Sequence, residues 1–176
     1  MSKPAAIVVL ALAAATGCGS DGDRDQAPGQ AESARVVRVI DGDTIEVSID
    51  GAEEDVRYIG VDTPETVKPG APVQCYGRQA SAANQRLVEG HTVRLVFDRE
   101  RRDAYGRLLA YVYIPAGEKA GGARGDAGKA RFVNAALVRD GYARTLKIPP
   151  NTEHAPELRR LEARAGRAGR GLWGAC

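Results

Sequence analysis

The chain has 176 residues, 43% of them hydrophobic and 27% charged, enough for one domain with a core of ordinary size and too few for two. From residue 35 onward 23 Lys and Arg face 19 Asp and Glu, a mild basic bias that permits a polyanionic ligand without requiring one. With His91 and His154 as the only histidines and no Cys/His cluster, zinc-type centres are disfavoured, and so is chemistry built on a histidine general base.

At the N-terminus, AAIVVLALAAATG (5–17) is an apolar run of signal-peptide length behind Lys3, short for a membrane span. It stops at Cys18 in AATGC, which resembles a bacterial lipobox with Ala15 where leucine is usual. The expectation is a lipoprotein-type signal over 1–17, lipidation at Cys18, a flexible tether over 18–34 and a folded domain over 35–176. A plain secretory signal and an uncleaved anchor are the alternatives. All three place the protein outside the cytoplasm.

ARVVRVI (34–40) and TIEVSI (44–49) alternate or are β-branched and predict two strands joined by Asp-Gly turn chemistry. Asp50-Gly51 opens a second turn before a third strand, DVRYIGV (55–61), completing an antiparallel meander. A hairpin centred near residue 52 sets Asp43 opposite Val61 and Asp62. CYGRQASAANQRLVEG (75–90) predicts a helix ending on glycine. HTVRLVFD (91–98) and GRLLAYVYI (106–114) are strands four and five. RFVNAALVRDG (131–141) and PELRRLEARAGRAGRG (156–171) predict two further helices, separated from the strands by a Gly-rich surface loop over 116–130. Residues 131–176 hold nine basic and four acidic side chains, a run that fits a solvated helix face or a nucleic-acid footprint.

Five short strands with a helix after the third is the order of an oligonucleotide-binding (OB) barrel, so the expected class is α+β and β-rich: a five-stranded OB-type barrel with three helices. VIDGDT, RYIGVDTPE, DAYGRLLAYVY, FVNAALVRDGYAR and the closing GLW occur in the order seen in staphylococcal-nuclease-like proteins, which the chain resembles over residues 35–173. The resemblance implies a calcium-dependent nuclease acting on DNA and RNA with little sequence preference, leaving 3′-phosphate ends. A hard cation such as Ca²⁺ wants carboxylate and carbonyl oxygens, and Asp43 with Asp62 supplies two carboxylates. The Thr63 carbonyl is the third ligand by resemblance.

Glu65, restrained by Pro64, is placed to orient or deprotonate a water. Arg57 and Arg107 are the expected cationic partners of a phosphoryl group. Strand parity sets Arg57 on the face opposite Asp62, since the two are five residues apart; only a sharply bent strand, or the resemblance, brings it to the site. Tyr105 matches a family tyrosine beside the nucleotide, and a packed strand-edge tyrosine is its alternative. After GYAR the family pattern carries two nucleotide-bracketing tyrosines, whereas this chain reads TLKIPP with Lys147 and Pro149, which puts base stacking in doubt at that wall.

Two other readings stand beside the enzyme: a non-catalytic nucleic-acid-binding barrel, and an envelope scaffold lipoprotein that leaves the motif series unexplained. Cys75 and Cys176, the pair left after Cys18, suggest a disulfide in an exported chain, with two free buried thiols as the alternative. The chain is expected to be monomeric.

Overall fold

Two β-bulges in the first strand set the architecture of the domain. The computed structural model describes residues 29–66, 70, 72–117 and 129–176. The signal segment, Cys18, most of the tether and residues 118–128 of the Gly-rich loop lie outside the described residues. Strand β1 (Ala31–Asp41) shifts register between Val36 and Arg38 and again between Val39 and Asp41. Such bulges bend a strand and increase its twist. The bent strand pairs through its first half with β5 (Thr92–Val96) and through its second half with β2 (Thr44–Ile49), antiparallel on both sides. Strand β1 begins three residues before the predicted ARVVRVI. Its first four residues, expected as tether, pair Ala31–Ala34 with Val96–Val93, because the edge of β5 offers them backbone partners.

Asp50 (φ 51°) and Gly51 (φ 88°) both sit in the left-handed region, as a two-residue type I′ hairpin requires. They join β2 to β3 (Ala52–Tyr58), with Ile49 opposite Ala52 and Thr44 opposite Arg57. The hairpin centre therefore lies one to two residues before the expected position, and Asp43 comes opposite Tyr58, whose N–H donates to the Asp43 carbonyl at 3.0 Å. The predicted third strand, 55–61, is also not continuous. It breaks at Ile59-Gly60 and resumes as β4 (Val61–Asp62). Gly60 has φ 80°, and a Cβ there would lie 2.6 Å from a Leu158 methyl, so turn geometry and close packing both require glycine.

Helix α1 (Gly77–Val88) follows β4, and after β5 the chain enters β6 (Leu108–Ile114). Strand β6 runs antiparallel to β5 and parallel to β3, pairing Val56 with Leu108 and Tyr58 with Ala110; this last ladder closes a five-stranded mixed barrel of β1, β2, β3, β6 and β5. The OB-type α+β class expected from the sequence is the class observed. The barrel interior is filled by Ile45, Val47, Val56, Val93, Leu95, Leu108 and Val112, all buried. At roughly 25 cal/mol per Å² of apolar surface removed from water, burial of such side chains contributes to the drive to fold.

The predicted helix over 131–141 begins as a short strand, β7 (Arg131–Phe132), paired to Tyr113 and Ile114, before α2 (Val133–Arg139) starts. Phe132 is held there by a stack on Tyr113, with centroids 4.6 Å apart. Strand β8 (Arg144–Thr145) pairs with β4, then α3 (Ala155–Arg167) packs on α2, and a single turn, α4 (Leu172–Ala175), ends the chain. Cys75 and Cys176 are joined by a disulfide with Cα atoms 6.0 Å apart, tying the entry of α1 to the last residue. Among the described residues no helix is long and apolar enough to cross a membrane.

Candidate active site

The turn between β1 and β2 places Asp41 and Asp43 at one rim of the barrel, and β4 brings Asp62 and Thr63 to the same rim. One groove is lined there by Asp41, Asp43, Asp55, Arg57, Asp62, Thr63, Glu65 and Arg107, with Ile40 and Thr44. Asp43 is only 5% exposed. Its Oδ2 accepts the Thr63 N–H at 2.7 Å and pairs with the Arg57 guanidinium, while Oδ1 accepts the Thr44 hydroxyl at 3.2 Å. Gly42 is what lets the two segments approach, since a Cβ at that position would lie 2.6 Å from Thr63 Oγ1.

Arg57 also donates from Nη2 to Asp62 Oδ1 at 3.0 Å, bridging the two aspartates. Strand parity set Arg57 on the opposite face, and the structure corrects that expectation. The alternation ends at Tyr58, so Asp62 is presented by a new strand after the Gly60 turn and not by the continuation of β3. Burial pushes the Asp62 carboxyl above the usual carboxylate range, opposed by Arg57 and reinforced by the neighbouring Asp43 and Glu65 carboxylates.

Glu65 sits on a loop clamped at both ends. Its N–H donates to Gln74 Oε1 at 3.0 Å and its carbonyl accepts the Gln74 N–H at 3.0 Å, while its own Oε1 accepts the Thr66 N–H at 2.9 Å. Asp41, for which the sequence motifs indicate no role, is the buried support of this loop. Asp41 Oδ1 accepts the Thr66 hydroxyl at 2.6 Å and the Gly42 N–H at 2.7 Å, and its carbonyl accepts from Asn84 at 3.1 Å. Asn84 in turn accepts the buried Tyr58 hydroxyl at 2.9 Å, so the rim is pinned to α1 and to the core. Burial raises the Asp41 carboxyl as well, partly offset by the hydrogen bond from Thr66.

The parallel pairing of β3 with β6 delivers Arg107 to the rim, one residue before Leu108. Its guanidinium donates to Asp103 Oδ2 at 2.8 Å, and Asp103 Oδ1 accepts the Arg107 and Tyr105 N–H groups at 3.0 and 2.9 Å. Asp103 thus shapes the DAYGR turn and aims the arginine, a role readable in hindsight from an Asp four residues before Arg107 at a turn. Tyr105 is 86% exposed, with its ring centroid 5.4 Å from the Arg107 guanidinium, so it projects from the surface and is not a packed strand-edge tyrosine. On the TLKIPP wall Leu146 and Ile148 are exposed aliphatic side chains and no aromatic ring is present.

The donors suit a hard cation. Among the groove's charged side chains, five carboxylates face two guanidiniums, and Thr63 Oγ1 is a buried hydroxyl without a hydrogen-bond partner. Among the described residues no three carboxylate, imidazole or thiol groups converge as a ready-made cage. A cation held by Asp43 and Asp62 would therefore complete its shell from the Thr63 carbonyl and water.

Residues 55–175 match the family model described as staphylococcal nuclease homologue. The chain is 37% identical to a thermonuclease of Staphylococcus hyicus over 169 residues, covering 96% of this chain and 92% of that protein. It is 42% identical to a thermonuclease of Staphylococcus intermedius over 142 residues, 81% of this chain and 76% of the relative. Endonuclease YncB of Bacillus subtilis (strain 168) is 42% identical over 138 residues, 77% of this chain but 59% of the longer relative. With the barrel, the rim groove and these matches in agreement, the chain belongs to the staphylococcal nuclease family.

Proposed function

We propose that the protein is a calcium-dependent nuclease that hydrolyses phosphodiester bonds of DNA and RNA with little sequence preference, leaving 3′-phosphate ends. The observation that carries this reading is one groove holding Asp43, Asp62 and Glu65 together with Arg57 and Arg107. Asp43, Asp62 and the Thr63 carbonyl are the groups that would hold the ion. A bound calcium supplies a Lewis acid that draws charge from the phosphate. Glu65 orients or deprotonates the attacking water from its clamped loop. Arg57 and Arg107 donate to the equatorial oxygens as negative charge accumulates, and Asp103 limits the freedom Arg107 loses in doing so.

Affinity comes mainly from the phosphate backbone, which accounts for the low sequence preference. The non-catalytic binding reading leaves five convergent site residues without a role. Gel zymography with DNA or RNA in the matrix tests the activity: clearing of both in calcium is expected, with products that change mobility after phosphatase treatment. No clearing of either polymer overturns the reading.

The protein acts as a monomer outside the cytoplasm, carried by the 1–17 signal segment and lipidated at Cys18. Cys18→Ser should move it from the membrane fraction to the soluble fraction with activity intact, because the anchor precedes the barrel. A parent chain that is already wholly soluble outside the cell rules lipidation out. Firm anchoring needs more than one acyl chain, as a mature lipoprotein carries.

A further inference from the structure

A second groove runs along the exposed face of α1, lined by Tyr76, Arg78, Gln79, Ala82, Arg86 and Tyr142. The Tyr76 and Tyr142 rings stack with centroids 5.8 Å apart and planes 20° from parallel. Both are half-buried, so part of each ring faces solvent. Arg78, Ala82 and Arg86 recur at every fourth position and share one helix face; both arginines are exposed, and among the described residues neither is in an ion pair. The small Ala82 between them leaves the groove open.

Tyr76 is held at φ 69°, a left-handed conformation that a tyrosine adopts only at a cost. Strain of this kind points to a constraint on where the side chain must be. The disulfide at Cys75 fixes one side of Tyr76 and α1 fixes the other.

The groove borders the active site through its backbone. Gly77, next to Tyr76, packs so closely on the Pro64 and Glu65 carbonyls that a Cβ there would lie 3.0 Å from each. Tyr142 is two residues from Arg144, which pairs with Asp62. The Leu146 and Ile148 wall has no aromatic ring, so base stacking has to come from another side.

We propose that Tyr76 and Tyr142, with Arg78 and Arg86, form an outlying subsite that stacks a base and binds backbone phosphates of a single-stranded polynucleotide reaching beyond the cleaved bond. It rests on the nuclease reading above for its substrate class. An aromatic face accepts any base, and a guanidinium matches phosphate geometry, so the subsite extends the footprint without adding sequence preference.

The test uses the full chain, with Tyr76→Gly and with Arg78→Gln combined with Arg86→Gln. Glycine suits the left-handed backbone at residue 76, and thermal melting confirms that each variant is folded. Binding of fluorescein-labelled thymidylate dodecanucleotide is measured by anisotropy in chelator, and KM in calcium is compared for the dodecanucleotide and a trinucleotide. Tyr76→Gly should weaken dodecanucleotide binding roughly tenfold and raise its KM relative to that of the trinucleotide. The double arginine variant should lower the slope of log affinity against log salt by about 1.4, at about 0.7 per phosphate contact. Unchanged dodecanucleotide binding in folded variants, equal losses at both lengths, or a parent that does not bind the dodecanucleotide overturns the subsite. If the parent binds in this variant-sensitive way but cleaves nothing, the subsite stands and the nuclease reading fails. If it cleaves while the variants behave as the parent, the reverse holds.

Discussion

Arg107→Ala and Glu65→Gln are each expected to lower kcat by about 10² to 10³ while leaving calcium affinity within a few-fold of the parent value. Neither side chain belongs to the proposed ligand set, so removing one does not subtract an oxygen from the ion. In the proposed mechanism their contributions are expected as the water attacks and charge accumulates on phosphorus. Arg107 is already held by Asp103, with a guanidinium hydrogen bond of 2.8 Å, so in that role it would meet the transition state with little reorganisation. Glu65→Gln keeps the shape of the side chain and removes its basicity, which separates proton handling from loop position. Steady-state turnover at saturating calcium reads both effects. Full kcat in Arg107→Ala would remove that residue from the mechanism.

The second large effect concerns stability. Reducing the Cys75–Cys176 disulfide, or replacing both cysteines by serine, should cost up to about 4.7 kcal/mol in the chain-entropy account for a loop of this length. The sequence separation is 101 residues, so the link closes a loop that holds β5, β6 and all four helices. The loss should lower the melting temperature by roughly 10 °C or more in a domain of this size. The chain end is also held by the Leu172 N–H, which donates to the Gly141 carbonyl at 2.9 Å, and by the Trp173 ring under the Arg144 guanidinium. Cys176 N–H bonds within the last turn to Leu172, and Leu172 is the buried residue of α4. Calorimetric melting with and without reductant gives the answer, and coincident melting curves would show that the link adds nothing. Non-reducing peptide mapping shows whether the purified protein carries it.

The barrel was legible because its strands alternate and its turns carry Asp-Gly pairs, signals that local physics produces directly. The positions of the site residues were legible less completely. Asp43 and Asp62 do meet at one rim, but not by the register that a hairpin centred near residue 52 implies. The two-residue turn sets Asp43 opposite Tyr58, and Gly60 then redirects the chain so that β4 carries Asp62 and Thr63 back across. Alternation cannot report such a break, since glycine at a bend and glycine in a strand look alike in sequence. Arg57 shows the same limit: parity placed it away from the site, and the end of β3 at Tyr58 makes parity irrelevant to Asp62. Asp41 acts through a hydrogen bond from the Thr66 hydroxyl, 25 residues away, and only the fold brings those partners together; the partners of Asp103 lie within its own turn, where the signal is local. The Tyr76 and Tyr142 stack joins residues 66 apart, beyond the reach of any local pattern.

Dependence of phosphodiester hydrolysis on an ion held by Asp43 and Asp62 is the expected behaviour. It is tested most directly by titrating calcium into metal-free parent and Asp43→Ala while calorimetric binding and turnover are followed on the same samples. For the parent, turnover should rise along the binding curve and vanish in excess chelator. In Asp43→Ala both curves should shift together to higher calcium, because one of two carboxylate ligands is gone. Undiminished cleavage by the parent in excess chelator, or an Asp43→Ala chain that binds calcium and turns over as the parent does, would show that hydrolysis does not depend on an ion at Asp43 and Asp62.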